Sequence, residues 1–455
     1  MVLQLNRFLS GCFNQIRKFP NFPGLACSSV YPRSTGKIGV ISFSSSCSRV
    51  HNWRCGQHTV NRTPNYPLLS SQVAIWSSKK IRMFSAKTPC NVGDPVAEIE
   101  TPTLVLCLDK LETNLGTLKE AMARYPGVAF RPHVKAHKCP VLGQLQMKSG
   151  ACGVCCQTLT EAEAMVEGGL QDVFISNEVI GRKKLLRLAA LARTAKVSVC
   201  VDSEGNIEDL SKAAGDLGVT LDLVIEVNVG QDRCGVEPGQ DVARLAKKIQ
   251  SLPQVNFKGI QCYNGWNQHI RKASERKAAV ELVAEKGKKA LQALKEGGFD
   301  CPYVTGGGTG TFHFEAGSGV FTEVQPGSYL MMDVDYNKNL DESEKFVSEF
   351  QQSLYIISTV QSVAPGDRAV LDTGLKGVSL DSGVPTISGA GDLIFHNGGD
   401  EHGIVRPSGD LKVGDQVWLV PGHCDPTVNM YQWIVGLRDG HVECVWPVSG
   451  RGPGV

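Results

Sequence analysis

The chain has 455 residues, of which 42% are hydrophobic, and this is enough for two domains with substantial cores. No run of apolar residues is long enough to cross a bilayer as one helix, so we expect no membrane span. The whole chain has 47 Lys and Arg residues, 45 Asp and Glu residues and a formal net charge of +2. Twelve of the Lys and Arg residues, but no Asp or Glu, precede Asp94, so residues 94–455 carry 35 basic against 45 acidic side chains. This negative balance disfavours nucleic-acid binding through a basic surface.

The first 89 residues have the composition of a targeting sequence. They contain Arg, Lys and Ser but no Asp or Glu, as organelle transit peptides do. In the opening "LQLNRFLSGCFNQIRKF" the apolar side chains recur on one helical face, at Leu5, Leu9, Phe13 and Ile16. This pattern favours mitochondrial import, whereas the later "SFSSSCS" is typical of plastid leaders. We therefore predict a disordered transit peptide over residues 1–89, mitochondrial with a plastid as the alternative; an ordinary disordered tail is the simpler interpretation.

From about residue 100, strand patterns alternate with helix patterns. "TLVLCLD" is followed by "KLETNLGTLKEAMARY", and "DVFISNEV" by "RKKLLRLAALARTA". The strands are short apolar runs, and the helices carry apolar residues three and four positions apart. Repeated βα units without an early glycine-rich dinucleotide turn favour a (β/α)8 barrel over a doubly wound sheet. We predict an α/β TIM barrel over residues 100–340.

The pattern changes near residue 345. "SLYIISTVQSV", "RAVLDTGLKGVS", "QVWLVPGH" and "HVECVWPVSG" predict strands joined by Gly, Pro and Asp turns, with no helix between them. Residues 345–455 are therefore predicted to form a C-terminal all-β domain.

The stretch "FRPHVKAHKCP" places a lysine between two histidines. In an extended strand, His133, Lys135 and His137 would share one face. Three neighbouring cations repel one another, so the histidines would lower the pKa of Lys135 and keep its amine nucleophilic. A phosphate-bearing aldehyde, bound covalently to the lysine nitrogen, would relieve this repulsion.

Other chemically distinctive residues follow predicted barrel strands, where such barrels carry their catalytic groups. Arg233 follows "VNVG", and Tyr263 and His269 bracket the loop after "FKGIQC". The run "TGGGTGT" leaves backbone N–H groups uncovered at a strand-to-helix turn, an arrangement that binds phosphate. A strand-end lysine and a phosphate-binding loop are the two features that pyridoxal 5'-phosphate requires.

The C-terminal domain offers a second group of candidate ligands in "VPGHCDPT". If this segment is extended, His423 and Asp425 share a face, and imidazole with carboxylate is a divalent-metal pair. Two protein ligands leave positions open for water or substrate, as a catalytic metal requires. The cluster "GDEHG" (Gly399–Gly403) is either a plain turn or another wall of the site.

Taken together, these motifs resemble those of the D-threonine aldolase / D-serine dehydratase family. The similarity extends over about residues 100–447 and rests on "ETPTLVLCLD", "RPHVKAHK", "GVCCQTLTEAEAM", "ISNEV", "VTGGGTGTF", "VQPGSYLMMD" and "VPGHCDPTVN". The resemblance implies a fold-type III pyridoxal-phosphate enzyme similar to alanine racemase, usually a homodimer, with an N-terminal barrel and a C-terminal β-domain.

The resemblance also implies a role for each candidate. Lys135 matches the Schiff-base lysine, and His269 the histidine that takes the proton of the substrate hydroxyl. Tyr263 matches a tyrosine near the cofactor, and Arg233 the arginine beside the ring nitrogen. The phosphate loop corresponds to Gly308, Thr309 and Gly310, and the metal ligands to His423 and Asp425.

One residue separates the branches of this family. The dehydratases carry His-x-Cys, suited to zinc, whereas the aldolases carry His-x-Asp, suited to Mn²⁺ or Mg²⁺. On an extended strand Cys424 would point away from His423, so Asp425 favours the aldolase, with Zn²⁺ as a further candidate metal. The predicted reaction converts a D-3-hydroxy amino acid, such as D-threonine, to glycine and an aldehyde. The alternatives are a D-serine dehydratase, which forms pyruvate and ammonia, and a non-catalytic pyridoxal-phosphate-binding protein.

Deleting residues 1–89 is expected to abolish organelle import while leaving folding and activity intact, because this stretch lacks the strand–helix pattern of the rest. Import into isolated mitochondria and plastids, with enzyme assays of the shortened protein, measures both effects. Insoluble or inactive shortened protein would show that the segment is part of the folded domain.

Overall fold

The computed structural model describes residues 87–454. The predicted transit peptide over residues 1–89 therefore lies almost wholly outside the described residues. Within them, every helix is too short or too polar to cross a membrane.

The first strand does not belong to the barrel. β1 (Thr103–Cys107) leads into helix α1 (Leu108–Met122). It pairs with two strands of the C-terminal part, antiparallel to Leu354–Ala364 and parallel to Trp433–Arg438. The barrel boundary predicted at residue 100 was therefore wrong for β1, because a buried apolar run has the same appearance in either sheet.

Eight parallel strands form the barrel. They are β2 (Ala129–Phe130), β3 (Val154–Cys156), β4 (Asp172–Glu178), β5 (Lys196–Val201), β6 (Leu221–Glu226), β7 (Val255–Cys262), β8 (Val304–Gly306) and β9 (Glu323–Val324). β9 lies beside β2, and the others follow in reverse chain order to β3. The barrel closes where the Cys152 N–H donates to the Phe130 carbonyl (3.0 Å) and the Cys155 N–H to the Pro132 carbonyl (2.9 Å). The predicted (β/α)8 barrel is confirmed.

Helices follow the barrel strands. They are α2 (Pro140–Lys148), α3 (Leu159–Glu167), α4 (Arg182–Leu191), α5 (Glu204–Leu217), α6 (Gln240–Gln250), α7 (Ala273–Glu296) and α8 (Phe312–Gly317). Helices α3 to α7 pack against the strands in one core, whereas the buried hydrophobic residues of α2 and α8 belong to the core shared with the C-terminal part. α6 shows the sequence cause, because its buried residues recur three and four apart. These residues are Val242, Ala243, Leu245, Ala246 and Ile249.

The C-terminal part is built on a nine-stranded sheet that includes β1. Its other strands are β10 (Leu354–Ala364), β11 (Arg368–Leu371), β12 (Thr386–Ile387), β13 (Ile394–Asn397), β14 (Gly403–Arg406), β15 (Gln416–Val420), β16 (Trp433–Arg438) and β17 (His441–Pro447). The predicted β-domain is present, but it is not purely β, since the short helix α9 (Cys424–Val428) follows β15.

The chain after β9 joins the barrel to the loop that precedes α9. The Val334 N–H donates to the Pro421 carbonyl (3.0 Å), and the Asp335 N–H donates to the Gly422 carbonyl (3.2 Å). The Asp333 carboxylate accepts from the Cys424 N–H (2.8 Å). These bonds hold the start of α9 against the segment that leaves the barrel.

A buried ionic cluster fills the barrel near the N-terminal ends of its strands. Arg131 lies 3.0 Å from Glu323 and 2.7 Å from Asp172, and the Arg131 and Glu323 side chains are 4% and 3% exposed. Glu323 also accepts a hydrogen bond from the Tyr303 hydroxyl (2.7 Å). The carboxylate of Glu323 thus compensates a guanidinium that has little access to water.

Glu323→Ala is expected to destabilise the protein by about 3–5 kcal/mol, because it leaves a buried guanidinium short of a counter-charge. The decrease in the free energy of unfolding is measured by urea unfolding. Glu208→Ala is the control, since Glu208 pairs with Lys248 on the surface. We expect this control to change stability by less than about 0.5 kcal/mol. Equal effects of the two substitutions would contradict the assigned role of Glu323.

Candidate active site

Lys135 follows β2 at the C-terminal end of the barrel, but in a turn. Residues Val134–Ala136 form one turn of 3₁₀ helix, so the alternation expected of a strand is absent. His133 bonds to Gln157 and Ser176, both at 3.2 Å, whereas His137 bonds to Gln146 at 3.1 Å. The two histidines thus occupy separate hydrogen-bonding environments. The predicted common face was wrong.

Neither histidine is a cation. Burial, with the charge of Lys135 second, holds the pKa of His133 well below its usual value. Burial lowers the pKa of His137 to about 4. Both imidazoles are therefore neutral near pH 7, because the cost of desolvating a charge exceeds what their partners restore.

The charge state of Lys135 also differs from the expectation. Burial acts to lower the pKa of Lys135, but Tyr263 and Asp425 outweigh it, and the pKa is raised. The Lys135 Nζ atom lies 3.9 Å from Asp425 Oδ2, with the lysine side chain 35% exposed. Without a covalent partner, Lys135 is an ammonium ion beside a carboxylate. The predicted lowering of its pKa was wrong.

Arg233 and Tyr263 lie close enough to Lys135 for both to influence its pKa. The Arg233 guanidinium is 5.9 Å from the Tyr263 ring centroid, and its Nη2 is 3.8 Å from Glu226 Oε1. Burial, supported by the charge of Glu178, raises the pKa of Glu226 to about 7. Three residues predicted from separate loops thus meet at one end of the barrel.

The glycine-rich loop after β8 presents free backbone donors. Gly307 has a φ of +71°, which turns the chain in the left-handed region open to glycine. The N–H groups of Gly307 and Thr309 donate no hydrogen bond within residues 87–454. The Gly310 N–H donates to Gln268 Oε1 (2.9 Å), and a Cβ on Gly308 would lie 2.7 Å from the same atom. The loop therefore keeps two donors for an anion, while Gln268 fixes its far side.

The predicted metal ligands occupy the start of α9. His423 immediately precedes the helix and Asp425 is in its first turn, so the segment is not an extended strand. Cys424 is fully buried, and its Sγ lies 3.3 Å from Asp425 Oδ1 rather than on an opposite face. His423 Nδ1 is 2.7 Å from Asp381 Oδ2, which leaves Nε2 to bind a ligand.

The electrostatic field around His423 favours positive charge. Burial acts to lower the pKa of His423, but Asp425, Asp381 and Asp333 outweigh it and the pKa is raised. A divalent cation beside the imidazole would benefit from the same carboxylates. One imidazole nitrogen and one carboxylate fit a metal that keeps further positions for water or substrate.

A separate group of donors lies nearer to Arg233. Glu178, Asp202 and Cys234 bring one ligand atom each within 4.8 Å of one another. Burial raises the pKa of Cys234 to about 11, so without a metal its thiol is protonated near pH 7. His423 and Asp425 are not part of this group.

Among residues 87–454, the side chain of His269 forms its hydrogen bond with Asp335 and not with another predicted site residue. Its Nδ1 lies 2.6 Å from Asp335 Oδ2, and its ring centroid is 6.5 Å from that of Tyr336. Burial, with Tyr263 as the largest charge effect and Asp425 among the others, raises the pKa of Tyr336. Tyr336 is therefore close to His269 and also within electrostatic range of Tyr263 and Asp425.

Among the site residues absent from the sequence-based prediction are Asp333, Asp335, Tyr336 and Asp381. The first three follow "VQPGSYLMM" at the end of the last barrel strand, a position that could have identified them. Asp381 lies in a loop of the β-domain, and no pattern there indicates its contact with His423.

The cluster "GDEHG" forms the turn between β13 and β14. Asp400 lies 3.8 Å from Lys376, and Glu401 lies 2.5 Å from the same Nζ, with all three side chains at least 60% exposed. Exposed pairs of this kind suit a surface turn. The plain-turn alternative is therefore the one that the structure supports.

Comparisons with known proteins identify the family and the fold of the chain. The family profile for the N-terminal domain of alanine racemase matches residues 106–335, and that of a putative serine dehydratase domain matches residues 353–437. A D-threonine aldolase from Arthrobacter sp. is 43% identical over 83% of this chain and 99% of its own length. A 3-hydroxy-D-aspartate aldolase from Paracoccus denitrificans is 44% identical over 80% of this chain and 96% of its own.

A solved structure supports the same family and fold. The D-threonine aldolase from Filomicrobium marinum superposes with a TM-score of 0.77 at 40% identity, covering 80% of this chain and 99% of that protein. The predicted alanine racemase-like fold and the predicted family are confirmed. The chain belongs to the D-threonine aldolase / D-serine dehydratase family of lyases.

Proposed function

We propose that the protein cleaves D-3-hydroxy amino acids to glycine and an aldehyde, with D-threonine as a representative substrate. The observation that carries this proposal is the carboxylate of Asp425, 3.9 Å from Lys135 Nζ. The position expected to carry a thiolate in a dehydratase thus holds a hard oxygen ligand. Two similar relatives are named as aldolases of D-threonine and of 3-hydroxy-D-aspartate.

Pyridoxal 5'-phosphate is the cofactor that these residues fit. Lys135 would supply the amine for the covalent bond, the free N–H groups of Gly307 and Thr309 would bind the phosphate, and Arg233 and Tyr263 would contribute to binding the rest of the cofactor. When bound, the cofactor supplies a conjugated system that accepts the electron pair of the broken carbon–carbon bond. The protein contributes attachment, orientation and charge.

His423 and Asp425 are proposed to hold a divalent metal, with Mn²⁺ or Mg²⁺ favoured because the carboxylate is a hard ligand. Asp381 fixes the imidazole through Nδ1, so Nε2 is the nitrogen available to the metal. When bound, such a metal would lower the pKa of a coordinated hydroxyl and so ease removal of the proton from the substrate hydroxyl.

His269 is proposed to accept that proton. Asp335 occupies its Nδ1, so the lone pair for the proton is on Nε2. Loss of the hydroxyl proton allows the oxygen to become the carbonyl of the aldehyde as the Cα–Cβ bond breaks. The base and the metal ligands thus act on the same oxygen of the substrate.

We further propose that the protein acts as a homodimer in mitochondria, or in plastids as the alternative. The acid-free leader supports the location, and the family resemblance supports the dimer. Sedimentation of the holoenzyme measures the second, since a monomeric mass under assay conditions would contradict it.

Incubated with D-threonine and Mn²⁺, the holoenzyme is expected to form glycine and acetaldehyde in equal amounts, without 2-oxobutyrate. In Asp425→Ala, after chelation and return of Mn²⁺, glycine formation should fall on the order of 10²-fold or more, because activation of the hydroxyl is lost. Quantifying glycine and 2-oxobutyrate by chromatography measures both outcomes.

Asp367→Asn is the matched control, since Asp367 is an exposed carboxylate of the same domain that pairs with Arg368 and Arg406. Its glycine formation should equal that of the unsubstituted enzyme. Formation of 2-oxobutyrate as the main product would contradict the proposal in favour of a dehydratase. Undiminished glycine formation by chelated Asp425→Ala would contradict the metal role.

Lys135→Ala is expected to abolish covalent attachment of the cofactor. Borohydride reduction followed by peptide mass analysis measures this attachment. Lys138→Gln is the control, because Lys138 lies in the same motif as Lys135 but is paired with Glu161. The Lys138→Gln protein should retain the cofactor on Lys135. Cofactor trapped on Lys138 in the Lys135→Ala protein would contradict the assignment of Lys135 and identify Lys138 as the attachment residue.

A further inference from the structure

His269, the proposed base, has a carboxylate partner that the sequence motifs did not indicate. His269 Nδ1 lies 2.6 Å from Asp335 Oδ2, and the two side chains are 46% and 9% exposed. The histidine thus reaches toward solvent while its partner is held inside the protein. The two residues come from different places, His269 from the loop after β7 and Asp335 from the segment after β9.

Asp335 is itself fixed on several sides. Its second carboxylate oxygen accepts a hydrogen bond from Arg271, whose Nη1 also donates to the Asp335 carbonyl at 2.7 Å. Its backbone N–H donates to the Gly422 carbonyl at 3.2 Å, one residue before the metal ligand His423. Asp335 therefore connects the base, an arginine and the loop that carries the metal ligands.

The carboxylate is ionised, which decides how the imidazole is protonated. Burial acts to raise the pKa of Asp335, but hydrogen bonds from His269 and Arg271 outweigh it and lower the pKa to about 2. An ionised carboxylate only accepts hydrogen bonds, so the imidazole proton at this contact belongs to Nδ1. Nε2 of the neutral ring then has the free lone pair.

We propose that Asp335 is a positioning residue for the reaction: it holds His269 in the tautomer with a basic Nε2 and at a fixed distance from the metal-ligand loop. This inference rests on the proposed role of His269. A carboxylate that orients a general base contributes to the rate through the base, without contact with the substrate. The competing explanation is that Asp335 only stabilises Arg271 and its own segment.

A double-mutant cycle distinguishes the two explanations. In the otherwise unchanged holoenzyme, Asp335→Asn should lower kcat by about 10²-fold or more, because an amide holds either tautomer. KM, the bound cofactor and the bound Mn²⁺ should remain unchanged. In the His269→Ala enzyme the same substitution should lower kcat by less than about twofold, because its target is gone.

Glu349→Gln is the matched control. Glu349 accepts from His313 Nε2 at 2.9 Å, so it forms another carboxylate–imidazole pair, made of residues that are neither cofactor residues nor metal ligands. The kcat of the Glu349→Gln enzyme should equal that of the unsubstituted enzyme. If Asp335→Asn does not fold, Asp335→Glu replaces it in the cycle; it keeps the charge beside Arg271 but displaces the carboxylate from His269, and kcat should still fall.

Each result decides the question. Equal losses of kcat with and without His269 would show that Asp335 acts through folding and would overturn the inference. An active Asp335→Asn enzyme beside an inactive His269→Ala enzyme would overturn the inference and leave the proposed function intact. Full turnover by His269→Ala would remove both the base assignment and the inference, while product analysis still tests the cleavage reaction.

Discussion

The hydrogen bonds between residues 333–335 and residues 421–424 determine where the proposed chemistry takes place. The cofactor residues belong to the barrel and the metal ligands to the C-terminal domain, so neither part alone contains the whole site. Two backbone bonds and the Asp333 carboxylate fix the start of α9 against the chain leaving the barrel. This contact brings Asp425 to 3.9 Å from Lys135. Catalytic geometry here depends on an interface between domains.

Charge compensation explains why the site tolerates so many ionisable groups. The ammonium of Lys135 and the imidazole of His423 both lie beside Asp425, and each has a raised pKa despite burial. The carboxylates thus create a field suited to cations before any ligand is present. The charge of a bound metal would be compensated by these same carboxylates.

The sequence predicted the barrel and the identity of the strand-end residues, because parallel strands bring their carboxyl ends to one edge whatever the loops do. It did not predict the local conformations. "RPHVKAHK" alternates like a strand but folds as a turn, and burial neutralises His133 and His137. Strand β1 was assigned to the wrong sheet, and Asp335 was not predicted. In both cases the partners lie far away along the chain, where no periodicity indicates them.

Crystals of the Mn²⁺-loaded holoenzyme would show whether the metal binds where the barrel meets the C-terminal domain. Anomalous diffraction locates the ion independently of activity. The account predicts a peak bonded to His423 Nε2 and Asp425, facing the cofactor on Lys135. A peak confined to Glu178, Asp202 and Cys234, with none at the start of α9, would contradict it.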